Sequence, residues 1–107
     1  MKPPPNTLSL MSRSSIERRL KDVHKRLARA RNELAVLDEQ LAAMAGEADD
    51  TRVRALVDES PASRHEHRDA QRHADAMARS RAALVASIAD LERTQDELLD
   101  RLVVEPR

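Results

Sequence analysis

Between Ile16 and Met44 the apolar side chains fall at alternating steps of four and three. The series is Ile16, Leu20, Val23, Leu27, Ala30, Leu34, Leu37, Leu41 and Met44. That is heptad spacing, the a and d positions of a helix that buries one narrow seam against a partner helix. A second series follows the same rule: Ala70, Ala74, Met77, Arg81, Leu84, Ile88, Leu91, Gln95, Leu98 and Leu102, interrupted by two polar residues. Two such seams in 107 residues define an all-α chain whose core is an antiparallel coiled-coil helical hairpin. Composition agrees. The chain has no aromatic residue, no cysteine and one glycine, so area comes from long helices packed along seams and not from bulky core residues.

The chain divides into an N-terminal tail and a hairpin. Residues 1–13 hold Pro3, Pro4 and Pro5 without periodicity and are expected to be disordered, with Met1 or Met11 as the start. The hairpin covers 14–104. Ser14 and Glu17 have capping-box spacing, so a first helix is expected over about 15–45, with Gly46 as its C-cap. Asp49, Asp50 and Thr51 cap a short connecting helix at about 51–58, whose face of Val53, Leu56 and Val57 folds back on the end of the hairpin. Ser60 and Pro61 restart the chain as N-cap and first helical residue, and the last helix runs over about 61–103.

Charge sets the orientation of the two helices. Residues 16–31 carry seven basic and two acidic side chains, and residues 88–102 carry five acidic and two basic. An antiparallel pairing sets these against each other, whereas a parallel pairing of the first helix with itself stacks like charges. Pairing Ile16 with Leu102 brings Leu20 to Leu98, Leu27 to Leu91, Leu34 to Leu84 and Met44 to Ala74. Arg81 then meets Leu37 and can place its guanidinium near Asp38 or Glu33. A slip of seven residues preserves the pattern and remains an alternative.

Apolar residues also lie outside the seams. Ala78, Val85 and Leu99 widen the stripe of the second helix on one flank, and Ala28, Ala35 and Ala42 do so on the first. They suit either a broader core or a homodimer interface that makes a four-helix bundle. The interaction candidates are therefore Ala78, Val85, Leu99, Val53, Leu56 and Val57.

Other chemistry is thinly represented. His65, Asp69 and His73 share one helix face at metal-ligand spacing, yet nothing supplies a third and fourth ligand, so no metal or other cofactor is expected. There is no phosphate-binding loop, and long helices enclose no pocket, so no catalytic residue is assigned and the chain is read as no enzyme. Arg18, Arg19, Lys21, Lys25, Arg26, Arg29 and Arg31 form a basic run without interleaved aromatics. Acidic residues 90–100 should neutralise it, which argues against nucleic acid. Formal charge is zero, and no apolar run approaches the roughly 20 residues that span a bilayer, so no membrane contact is expected. With no signal peptide, the expected location is cytoplasmic.

Two resemblances add to this. Glu47, Asp49 and Asp50 sit near the expected bend, and Gly46-Glu47-Ala48-Asp49-Asp50 resembles the glycine-acidic tip of Gre-type transcript cleavage factors. Over residues 16–102 the architecture is similar to their coiled-coil domain. That likeness implies an RNA polymerase-associated factor using an acidic hairpin tip, although here the connector is longer and no globular domain follows. The 16 Arg against three Lys, with many Ala, and the stretch over residues 37–59 resemble the small Ala/Arg-rich coiled-coil proteins of high-GC actinobacteria, a likeness that implies no activity. The reading from the residues is a non-enzymatic interaction module, an adaptor or regulator, that binds a protein partner and itself.

Overall fold

The computed structural model describes residues 12–104 and consists of two helices, α1 (Arg13–Asp58) and α2 (Pro61–Val104), joined by a two-residue turn. The chain is an all-α helical hairpin. Nearly all of the expected tail, residues 1–11 with both candidate start methionines, lies outside the described residues.

The first helix begins two residues earlier than the capping-box spacing places it. Ser12, not Ser14, is the cap: its Oγ accepts from the Ser15 amide at 3.2 Å, and its carbonyl accepts from the Ile16 amide at 3.0 Å. The larger correction is at the other end. No break occurs at Gly46, and residues 51–58 are the last two turns of α1, not a separate connecting helix. The reason lies in the seam, which does not stop at Met44. Ala48 and Thr51 are buried and Ala55 is half-buried, continuing the steps of four and three. On α2 the mirrored positions Ser63, His67 and Ala70 are buried or half-buried in turn. Small and polar side chains thus carry the seam to the turn, and helix propagation is cheaper than a second nucleation.

The turn is built from side-chain oxygens. Asp58 ends α1, and Glu59 takes a left-handed backbone conformation (φ 56°) while its amide donates to the Ala55 carbonyl at 3.0 Å. Ser60 caps α2 as its sequence position suggests, with Oγ accepting from the Ser63 amide at 3.1 Å and Pro61 at the first helical position. Both Ser60 Oγ and Ser63 Oγ donate to the Asp58 carboxylate.

Contacts divide the chain into two units. In the first, which pairs α1 up to Arg31 with α2 from Ser87, the buried side chains are Ile16, Val23, Leu27, Ala30, Ile88 and Leu98. Arg13 Nη1 donates to the Leu102 carbonyl at 3.3 Å, and Arg31 pairs with Glu92 at 3.0 Å, so the helices run antiparallel. The second unit, Asn32–Ala86, contains the turn. Its cross-helix contacts include Arg81–Asp38 at 2.5 Å, Arg54–Glu66 at 3.0 Å and Thr51 Oγ1–His67 Nδ1 at 3.4 Å. Arg81 meets Asp38 as the proposed pairing requires, and Thr51 faces His67 on the same series continued past Met44. A seven-residue slip would carry Arg81 opposite Ala30 or Met44 and forfeit both contacts.

Candidate interaction surfaces

The residues singled out for interaction are exposed. Val53, Leu56 and Val57 are 48%, 65% and 82% accessible, so they do not fold back on the hairpin; as part of a continuous α1 they stand on its outer side. Ala78 is also exposed, and Val85 and Leu99 are 40% and 46% accessible. Val36, on α1, is a further large apolar side chain left open.

Leu99 belongs to a shallow trough in the first unit, about 350 Å³, lined by Leu20, Lys21, His24, Lys25, Gln95 and Leu99. Its floor is apolar and its rim basic. The expectation that residues 90–100 neutralise the basic run is met by one ion pair among the described residues, Arg31–Glu92. Of the other acids nearby, Glu17 pairs with Arg13, Asp22 with Arg26 and Asp90 with Arg93, each within its own helix, whereas Asp96, Glu97 and Asp100 make no ion pair among the described residues. Lys21, His24 and Lys25 are exposed, with no hydrogen bond or ion pair among the described residues. Sequence reasoning gave the lysines no role of their own, because charge counts over a window do not distinguish pairing along a helix from pairing across it.

The acidic trio is displaced from the bend. Glu47, Asp49 and Asp50 sit inside α1, and even Asp50 is roughly 13 Å of helix before the turn at Glu59. Asp49 is occupied by Arg52 at 2.9 Å. The residues at the turn itself are Asp58, Glu59 and Ser60, and the Asp58 carboxylate is held below its ordinary pKa by the Ser63 hydroxyl first and the Ser60 hydroxyl second. An acidic tip of the kind the cleavage-factor likeness implies is not formed by the three residues that suggested it.

The histidine face separates similarly. Asp69 lies 3.3 Å from His65 Nε2 and pairs with Arg72, while His73 lines a hollow of about 200 Å³ with Glu47, Glu66 and Asp69. No group of three or more His, Asp or Glu among the described residues is arranged to hold a metal ion. No helix among the described residues is long and apolar enough to cross a membrane. Comparison of the chain with protein-family models, curated proteins and solved structures gives no match.

Proposed function

We propose that this chain is a non-enzymatic protein–protein interaction module of the cytoplasm, which associates with itself through the apolar side chains left outside its seam. One observation carries the reading: Val85 and Leu99, at the same heptad position on α2, stay 40% and 46% accessible beside a seam whose own residues are buried or half-buried. Side chains of this kind at a regular spacing become interior when another helical surface covers them. The hollows along the helices are open and small, a poor setting for catalysis, and a cysteine-free chain suits a reducing compartment. Sedimentation at micromolar concentration tests self-association. The expected result is a dimer that Val85→Glu with Leu99→Glu converts to a monomer of unchanged helicity. A wild-type chain that is monomeric throughout that range overturns the reading.

A further inference from the structure

We propose that the basic-rimmed trough of the first unit seats the acidic end of α1 from a second copy of the chain. This rests on the self-association just argued and names the two surfaces that meet. The trough offers Leu20 and Leu99 as an apolar floor, with Lys21, His24 and Lys25 around it and no acidic residue in its lining. The end of α1 offers the converse. Val53, Leu56 and Val57, at i, i+3 and i+4, form one exposed stripe, and Asp50 extends it three residues toward the N-terminus.

That segment is net acidic. Residues 46–59 contain five acidic and two basic side chains. Arg52 is held by Asp49 and Arg54 by Glu66, which leaves the side-chain carboxylates of Asp50 and Glu59 without an ion pair among the described residues. The helix terminus adds its own negative partial charge; no basic residue lies in the last turn of α1, and Arg64 of α2, donating to the Glu59 carbonyl at 2.8 Å, offsets it in part. The two surfaces are thus matched twice, apolar stripe to apolar floor and carboxylates to ammonium groups. The segment that fills the trough belongs to a second copy of the chain. Two copies laid head to tail make the contact reciprocally, whereas copies laid in parallel put Lys21 and Lys25 beside their own equivalents. With 19 basic and 19 acidic residues overall, local matching and not net charge selects between these arrangements.

The test uses the full chain in sedimentation equilibrium. Lys21→Glu with Lys25→Glu disables the trough, and Leu56→Glu with Val57→Glu disables the stripe; each pair is expected to weaken self-association about tenfold or more. All four positions are exposed, so circular dichroism should register no loss of helix. An equimolar mixture of the two variants, retaining one intact trough and one intact stripe, should associate more tightly than either alone. Adding Asp50→Lys and Glu59→Lys to the trough variant should restore association. If the wild type associates but neither pair of substitutions weakens it, this arrangement falls while self-association stands. A monomeric wild type removes both. A trough variant that keeps full self-association but loses binding to a DNA duplex makes the trough a nucleic-acid surface and overturns the proposal.

Discussion

At the residue scale, the chain carries its conformational exceptions in unexpected places. Its one glycine, Gly46, lies in the interior of α1, where the lack of a side chain costs about 1 kcal/mol relative to alanine. Its left-handed residue, where glycine is usually found, is Glu59, at a cost of roughly 1 kcal/mol. No atom lies within 4 Å of a Cβ built on Gly46, so Gly46→Ala should raise stability to urea by about 0.5–1 kcal/mol. Were the residue a helix cap, the same substitution would destabilise. Glu59→Gly should also stabilise, by up to about 1 kcal/mol, and a loss would mean that the turn depends on the glutamate side chain.

The turn also predicts a pH dependence. Hydrogen bonds from Ser63 and Ser60 lower the Asp58 pKa in the folded chain, so its contribution is fully present above the ordinary value of 3.8 and is lost as pH falls through the lowered one. Melting temperatures measured between about pH 5 and pH 2 should fall less steeply in Asp58→Asn than in the wild type. Equal slopes would show that the two hydroxyls do not favour the charged form. The Ser60–Pro61 cap was legible in the sequence because capping is local chemistry, settled within three residues. The αL residue was not, because nothing in a glutamate side chain signals it and only the arrival of α2 forces it.

At the scale of the element, the seam was legible as far as its residues are large. Leu, Ile, Val and Met announce a heptad by their hydrophobicity. Ala48, Thr51 and Ala55 hold the same positions without announcing them, and Gly46, Asp49 and Asp50 between them look like punctuation. A continuous α1 was therefore read as two helices, and three acids in mid-helix as a tip. The polar members of the seam repay attention. Thr51, buried, donates its hydroxyl hydrogen to the Ala48 carbonyl at 2.9 Å, so toward His67 its oxygen can only accept. The bond therefore forms only when His67 carries a proton on Nδ1. At 3.4 Å that bond is long and adds little. Replacing both partners together, Thr51→Val with His67→Leu, should leave stability unchanged or raise it by up to about 1 kcal/mol, read from urea unfolding. A loss of that size would mean that the polar pair holds the second unit together and does more than fix which residues face each other.

At the scale of the whole molecule, the supply of buried area decides how the chain must live. The large side chains that are fully buried are Ile16, Leu27 and Leu98, all in the first unit. The buried members of the second unit are Ala48, Ala74, Thr51 and Ser63, which remove little apolar surface from water. That same unit leaves Val53, Leu56, Val57 and Val85 at the surface. A hairpin with so lean a core gains from any surface that covers those residues, and a second copy is always at hand. Folding coupled to association makes stability depend on concentration, because mass action favours the folded dimer. Over a hundredfold range of protein concentration the melting temperature should rise by roughly 5–10 °C. In the Val85→Glu, Leu99→Glu variant the rise should vanish, leaving the melting temperature of the isolated hairpin. A wild-type melting temperature that ignores concentration would mean that the seam alone, alanines and threonine included, sustains the fold.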